Sequence, residues 1–301
     1  MSSIYKSDEG ERVVRERYGE LLKLWPVPHE RLRLPTRQGE TFVIASGEAH
    51  APPVLLLHGS MANCAVWLGE IAEWTKSFRV YAVDVIGEPG FSAPSRPPLN
   101  SDAHALWLDD VLSALSLEST ALFGVSLGGW LALDYATRRP ERVTKLALMG
   151  PSGGGRQKIG FAFQILFLRL LGRWGARRAQ ALILGRPDRS EGARRLSDYI
   201  MLIDAHFRPR LVKLPIFSMN RLKRITMPVL AVVGGKDVLL DSAETRRTLE
   251  RIGADVRYLP EAGHLIPGQT AAILDFLRGN QPRTAFTPNT MPRTANSPAA
   301  A

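Results

Sequence analysis

Cysteine is almost absent from this chain of 301 residues, in which Cys64 is the single example. One thiol excludes an internal disulfide framework and any metal site built from several cysteines. Long apolar runs are also missing. The longest, residues 161–171, is interrupted by Gln164 and Arg169 and is too short to span a bilayer. We therefore expect no transmembrane segment.

The first residues, MSSIYKSDEGERVV, contain no apolar run of the kind that forms the centre of a secretory signal peptide. Without such a run we expect a cytoplasmic location.

Acidic residues are scarce beside basic ones, with 29 Asp and Glu against 39 Lys and Arg, which gives a formal net charge of +10. The excess is local: residues 151–225 hold 16 Lys and Arg against 4 Asp and Glu, and the remaining chain holds 23 against 25. No recognised nucleic-acid-binding motif accompanies it, so we expect no nucleic-acid partner. Two interpretations of the basic segment remain: a solvated face, or a surface that attracts carboxylate-bearing substrates or an anionic membrane.

Five short apolar runs recur along the chain, each bounded by Gly, Pro or polar residues. Continuous runs of this length are typical of strands buried on both faces, and hence of a parallel sheet covered by helices. Helical patterns such as residues 102–117 separate them, and this alternation predicts a doubly wound α/β fold. The runs are residues 54–57, 80–83, 121–123, 146–149 and 229–233.

Two elements precede this pattern. Apolar residues at helical spacing predict a helix over residues 8–25 that Pro26 ends. Residues 29–34 and 40–46 alternate around Gln38-Gly39, which predicts a β-hairpin.

One long interval lacks a strand. Residues 151–225 have a helical pattern, are rich in Arg and begin at three glycines, 153–155, which we interpret as a hinge into an inserted helical cap. Residues 1–150 and 226–280 then form the core. Residues 281–301 are rich in Pro, Thr, Asn and Ala, which predicts a disordered tail.

The strongest chemical motif is Gly124-Val125-Ser126-Leu127-Gly128. It follows a predicted strand and opens a predicted helix, as the G-x-S-x-G nucleophile elbow requires. The tight turn needs residues without side chains at 124 and 128, because the backbone there passes close to itself. We therefore predict that Ser126 is a catalytic nucleophile.

A serine hydroxyl needs a base, and that base needs a third group to orient it. His264 lies in a loop after the predicted strand 255–260, and Asp237 directly follows the strand at 229–233. The order Ser126, Asp237, His264 is the one expected for an elbow of this type. Asp241 competes for the acid position, but we interpret it as the cap of a helix that begins near residue 242.

A tetrahedral intermediate needs two hydrogen-bond donors for its oxyanion. We expect the backbone N–H of Leu127 to be one of them. The second should come from the loop after strand 54–57, where Ser60 is the first choice and Met61 the second. His58 in the same loop is interpreted as a structural brace.

Taken together, these motifs resemble the α/β-hydrolase superfamily, and within it the capped serine esterases of the carboxylesterase type. The resemblance extends over roughly residues 40–280. It implies that Asp84 is a structural turn residue outside the triad. The matching motifs are His58-Gly59, Asp84-x-x-Gly87 followed by Gly90-Phe91-Ser92, the Ser126 elbow, Gly235-x-Asp237 and Gly263-His264.

Two departures narrow the class that the resemblance implies. Epoxide hydrolases and haloalkane dehalogenases carry Asp at the nucleophile position, where this chain has Ser126. Carbon–carbon bond hydrolases usually show a Gly-Pro-Gly stretch after the first His-Gly, where this chain has Ser60-Met61-Ala62-Asn63. Cleavage of a carboxylic ester is therefore the favoured reaction.

The expected substrate is a small-molecule ester with an apolar acyl part, cleaved without a metal or an organic cofactor. Residues 161–168, apolar nearly all round, either pack within the cap or roof the acyl pocket. A thioesterase, a lactonase or a carbon–carbon bond hydrolase with the same triad remains an alternative. So does a non-catalytic ligand-binding protein on this scaffold.

Overall fold

The computed structural model describes residues 4–158, 190–210 and 212–279, together with the isolated positions 168, 172, 175, 178 and 182. Its centre is one eight-stranded sheet in the order β1-β2-β4-β3-β5-β6-β7-β8. The strands are β1 His29–Leu34, β2 Thr41–Ser46, β3 Pro53–Leu57, β4 Arg79–Val83, β5 Thr120–Val125, β6 Val143–Met149, β7 Val229–Gly234 and β8 Asp255–Leu259. β1 and β2 form the predicted antiparallel hairpin, β2 runs antiparallel to β4, and the pairs from β4 to β8 are parallel.

The helices cover both faces of this sheet, which confirms the predicted α/β fold. The first ends at residue 22, three residues earlier than predicted, while the Trp25 indole still donates to the Ser46 hydroxyl from a buried position. The described helices are α1 Asp8–Leu22, α2 Ile71–Trp74, α3 Ala103–Ala114, α4 Leu127–Arg138, α5 Glu191–His206, α6 Met219–Leu222, α7 Ser242–Glu250 and α8 Thr270–Arg278, with 3₁₀ turns at Cys64–Trp67 and Pro140–Arg142.

Two apolar cores sandwich the sheet, one on each face. Along β3, Val54 and Leu56 face the core that includes α1 and α8, while Leu55 and Leu57 face the core formed with α3 and α4. Successive side chains of a strand point to opposite faces, so a strand buried on both sides must be apolar throughout. This is the physical origin of the continuous apolar runs.

Parallel strands bring their carboxyl ends to one edge of the sheet, where ligands bind in open α/β folds. Five adjacent strands end at this edge, and the residue that follows each of them lies there. The residues that follow them are His58 after β3, Asp84 after β4, Ser126 after β5, Gly150 after β6 and Gly235 after β7. We call this the site edge.

The described parts of residues 151–225 contact residues that lie outside this segment. The N–H of Asp241 donates to the carbonyl of Arg156, and the indole N–H of Trp130 in α4 donates to the carbonyl of Pro215. The N-terminal segment holds the end of α5, since the N–H of Lys6 donates to the carbonyl of His206. The predicted tail 281–301 and residues 161–167 of the predicted apolar helix lie outside the described residues, and the division into core and cap stays a prediction.

Within the described part of the chain, no helix combines the length and the apolar character needed to cross a membrane.

Candidate active site

Ser126 occupies the sharp turn between β5 and α4, which confirms the strand–turn–helix context predicted for the elbow. Its φ of 54° lies in the left-handed region, which is strained for a residue with a side chain. Two backbone bonds hold it: its N–H donates to the carbonyl of Met149 at 3.0 Å, and its carbonyl accepts from the N–H of Trp130 at 3.0 Å. The turn is therefore fixed from both the neighbouring strand and the helix.

The two glycines of the elbow stand where the backbone leaves no room for a side chain. A Cβ added at Gly128 would overlap the carbonyl of Leu57 in β3, and one added at Gly124 would overlap the carbonyl of Gly128. A Cβ added at Gly59 would lie 3.4 Å from that of Ser126. The loop after β3 therefore lies directly beside the serine.

His264 and Asp237 meet in a buried pair. Nδ1 of His264 lies 2.7 Å from Oδ2 of Asp237, and the two side chains are 4% and 2% exposed. The other carboxylate oxygen, Oδ1, accepts the N–H groups of Leu239 and Leu240 at 2.7 and 3.0 Å. The carboxylate is therefore fixed in place, with one oxygen available to the imidazole.

The end of β6 joins this pair to the elbow. Gly150 follows Met149, whose carbonyl binds the N–H of Ser126. A Cβ added at Gly150 would lie 2.8 Å from the carbonyl oxygen of His264 and 3.5 Å from its ring. The structure thus places the predicted serine, histidine and aspartate around one strand end at the site edge.

Asp241 has the other role that the sequence assigned to it. It is the N-cap of α7, where its Oδ1 accepts the N–H of Glu244 at 2.9 Å. The described contacts of His264 involve Asp237 instead.

The candidate oxyanion donors differ in their surroundings. Leu127 is the first residue of α4, a position whose N–H has no acceptor within the helix. Ser60 is exposed in the loop after β3. The N–H of Met61 is already engaged, because it donates to Oε2 of Glu88 at 2.7 Å. Of the two candidates in this loop, Ser60 is the one that fits the role.

His58 braces the same loop, as its sequence position suggested. Its ring is fully buried, its Nε2 accepts the N–H of Val85 at 2.9 Å, and its Nδ1 therefore donates to the carbonyl of Gly59 at 2.8 Å. Burial lowers the pKa of the His58 imidazole. The ring stays neutral and joins the ends of β3 and β4.

Asp84 is the structural turn residue that the resemblance implied. Its Oδ1 accepts the hydroxyl of Tyr18 at 2.8 Å and the N–H of Cys64 at 2.9 Å. Its Oδ2 accepts the N–H of Phe91 at 2.8 Å. Asp84 therefore connects α1 with the loop after β3, which contains Cys64, and with the loop after β4, which contains Phe91.

Sequence reasoning missed two residues of this region, Glu88 and Gly150. Glu88 is 1% exposed, and burial raises the pKa of its carboxyl to about 7. Its position one residue after Gly87 in the Asp84 motif was the only signal. Its partner Met61 is 27 residues away in the chain.

Among the residues that the structure describes, no group of three or more His, Cys, Asp or Glu could hold a metal ion.

Comparison with known proteins agrees with this fold. Residues 54–276, well over half of the chain, match the model of a family described as "Alpha/beta hydrolase family". The chain therefore belongs to the α/β-hydrolase family.

Two curated relatives from Bacillus subtilis are similar to part of the chain. It is 40% identical over 146 residues to the uncharacterized carboxylesterase nap, covering 48% of each chain. It is 41% identical over 135 residues to carboxylesterase YbfK, covering 45% of this chain and 46% of that protein. The matched stretch spans about half the length of these relatives.

The solved structures extend the likeness to nearly the whole fold. The crystal structure of carboxylesterase CesB (YbfK) from Bacillus subtilis superposes with a TM-score of 0.77 at 28% identity, covering 90% of this chain and 99% of that one. Naproxen esterase (carboxylesterase NP) from the same organism gives a TM-score of 0.75 at 27% identity, covering 91% and 99%.

Proposed function

We propose that this protein is a serine hydrolase that cleaves a carboxylic ester through an acyl-enzyme on Ser126. The observation that carries the proposal is the buried contact between His264 and Asp237, set beside a strained elbow serine at the edge of the sheet. The similarity to proteins named carboxylesterases supports an ester as the substrate.

In the first half-reaction, the Oγ of Ser126 attacks the ester carbonyl carbon while His264 accepts its proton. Asp237 orients the imidazole and stabilises the imidazolium. The N–H groups of Leu127 and Ser60 donate to the oxyanion. Collapse of the tetrahedral intermediate breaks the bond to the alcohol oxygen, which takes the proton from His264 and leaves.

In the second half-reaction, water replaces the alcohol. His264 removes a proton from the water as its oxygen attacks the acyl carbon, and the same two N–H groups stabilise the second oxyanion. The bond to Oγ of Ser126 then breaks, Oγ regains the proton, and the carboxylic acid is released. Neither step needs a metal or an organic cofactor.

The substrate class follows from the same reasoning. We propose a small or medium ester with an apolar acyl part, acted on in the cytoplasm by a core of residues 1–150 and 226–280 under a cap of residues 151–225. The same triad serves a thioester, a lactone or a carbon–carbon bond. The chain is also 38% identical over 107 residues to a protein named 2-hydroxymuconate semialdehyde hydrolase, which keeps such a substrate as the second candidate.

The test compares turnover of p-nitrophenyl esters of increasing acyl length by the full chain and by two serine variants. Ser126→Ala should lose several orders of magnitude in kcat, because triad members act as a unit. Ser113→Ala is the matched control, since Ser113 is an exposed serine in α3 whose hydroxyl donates to the carbonyl of Asp109.

Full turnover in Ser126→Ala would contradict the proposal. Inert p-nitrophenyl esters together with cleavage of a vinylogous diketone would favour the second candidate. A biological effect that survives in folded Ser126→Ala would favour a non-catalytic binding protein.

A further inference from the structure

A buried carboxyl group lies next to the loop that supplies the proposed oxyanion donor. Glu88, in the turn after β4, is 1% exposed and accepts the N–H of Met61 at 2.7 Å through Oε2. Within the described residues, its other oxygen, Oε1, has no hydrogen-bond partner. A buried carboxyl with a single partner is destabilising, so its presence here calls for a role other than stability.

The residue that it binds has an unusual backbone. Met61 has a φ of 57°, in the left-handed region that side chains disfavour. Such a conformation persists only where the surroundings over-determine it. The bond from its N–H to Glu88 is one described contact that holds it, and the packing of its side chain against the apolar core is another.

This contact also orients the preceding peptide group. The N–H and C=O of a trans peptide point in opposite directions. Holding the N–H of Met61 against Glu88 therefore turns the carbonyl of Ser60 away from it. A flipped peptide would aim that carbonyl at the carboxylate, and the two oxygens would repel each other.

The loop in question lies against the nucleophile. A Cβ at Gly59 would be 3.4 Å from the Cβ of Ser126, and the N–H of Ser60 is in the next peptide group. An oxyanion donor acts only when it is aimed at the place where charge develops. The Gly59–Ser60 and Ser60–Met61 peptide groups share the Cα of Ser60, so holding the second group limits the orientations that are open to the first.

We propose that Glu88 is a positioning residue for the oxyanion hole. It holds the Ser60–Met61 peptide group so that the N–H of Ser60 faces the reacting carbonyl. This inference rests on the proposed function, because it assigns Glu88 to the same ester-cleaving site.

The charge on Glu88 gives the proposal a pH dependence. Burial raises the pKa of its carboxyl to about 7, opposed by the N–H of Met61 and by the nearby charges of Arg96 and Arg210. An ionised carboxylate is the stronger acceptor, so the contact with Met61 weakens as the pH falls through about 7. The acid limb of kcat should then contain an ionisation near pH 7 that belongs to Glu88.

Two variants of the full chain test this. Glu88→Ala removes the acceptor, and we expect kcat to fall about 10- to 100-fold while KM changes less than about threefold, since loss of an oxyanion donor costs about 10² to 10³. Glu88→Gln keeps a carbonyl at the same place but does not titrate. It should retain kcat within about fivefold at pH 8.5 and lose the ionisation near pH 7 from the acid limb.

The matched control is Asp134→Asn, another buried acidic residue, which pairs with Arg221 and has no contact with the loop after β3 among those described. It should leave the kcat profile unchanged. An unchanged kcat in folded Glu88→Ala, or an acid limb in Glu88→Gln that keeps the ionisation near pH 7, would overturn the inference. If Glu88→Ala does not fold, the pH profile of Glu88→Gln decides. Turnover by Ser126→Ala separates the failure of this inference from the failure of the proposed function. If that turnover survives, the proposed function fails; if it is lost, the Glu88 variants alone decide the inference.

Discussion

Asp237 fixes the orientation of His264 before any substrate arrives. Its Oδ2 lies 2.7 Å from Nδ1 of the ring, and its Oδ1 is held by two backbone N–H groups. Because Nδ1 faces the carboxylate, Nε2 on the far side of the ring is the nitrogen that accepts the proton of Ser126 in the proposed mechanism. Such preorganisation lowers the reorganisation needed in the transition state.

Replacing Asp237 should separate a catalytic role of this residue from a structural one. In Asp237→Asn, the amide cannot hold the imidazole in the productive tautomer, and we expect kcat to fall by about 10⁴-fold, as for the equivalent change in serine proteases. Steady-state kinetics with a p-nitrophenyl ester measures this loss.

The neighbouring acid provides the control. Asp241→Ala removes the N-cap of α7 and should lower the free energy of unfolding by about 1 kcal/mol while kcat stays close to that of the wild type. Equal loss of kcat in both variants would contradict the assignment of Asp237.

The glycine at the elbow should tolerate no side chain. In Gly128→Ala, the new Cβ would overlap the carbonyl of Leu57, so we expect a loss of several kcal/mol in the free energy of unfolding or failure to fold. Gly192→Ala is the opposite case, because no described residue outside its own helical turn lies within 4 Å of its Cβ position in α5. It should stabilise the protein by up to about 1 kcal/mol. Urea titration measures both, and a neutral Gly128→Ala would contradict the close packing at the elbow.

Acid stability should depend on His104, which is 3% exposed and packs edge-on against Trp130. Burial, together with the charge of Arg210, lowers the pKa of its imidazole to about 4. A lowered pKa favours the neutral folded form, so this contribution is complete above pH 6.5 and lost as the pH falls towards 4. Its size is about 3 kcal/mol.

The comparison of wild type with His104→Phe isolates that contribution, because other titrating groups cancel in the difference. Between pH 6.5 and 4 the variant should lose about 3 kcal/mol less stability than the wild type in urea titrations. Parallel curves over this window would show that His104 does not titrate as described.

The basic segment 151–225 gives a prediction about substrate charge. If it attracts carboxylate-bearing substrates, KM for an ester with a free carboxylate should rise as salt increases from low ionic strength, because salt screens exposed charges. KM for a neutral ester of the same size should stay constant. Equal salt dependence of KM for the two esters would favour the other interpretation, in which the basic segment is a solvated face.

The strands were predictable because their signal is local. A strand buried on both faces must be apolar throughout, as β3 and β7 are, and a run of four or five such residues is visible without any tertiary information. β8 was predicted over residues 255–260, although none of its residues is buried and it lacks the continuous apolar run of β3 and β7. The end of α1 was placed three residues late, since Trp25 is buried from outside the helix.

The candidate triad was predictable for a similar reason. Each member follows a strand or lies in a short Gly-containing motif, so strand order alone brings them to one edge of the sheet. The partners of Glu88 and Asp84 were not predictable. The contacts between Glu88 and Met61, and between Asp84 and Tyr18, join residues 27 and 66 positions apart in the chain, and no local pattern marks them.

If Ser126 is the nucleophile, as we propose, a fluorophosphonate should label it covalently. The folded wild-type protein should take up one phosphonyl group per chain, peptide mass analysis should place it on Ser126, and Ser126→Ala should take up none. Absence of labelling in folded wild-type protein, or labelling at another residue, would contradict the account.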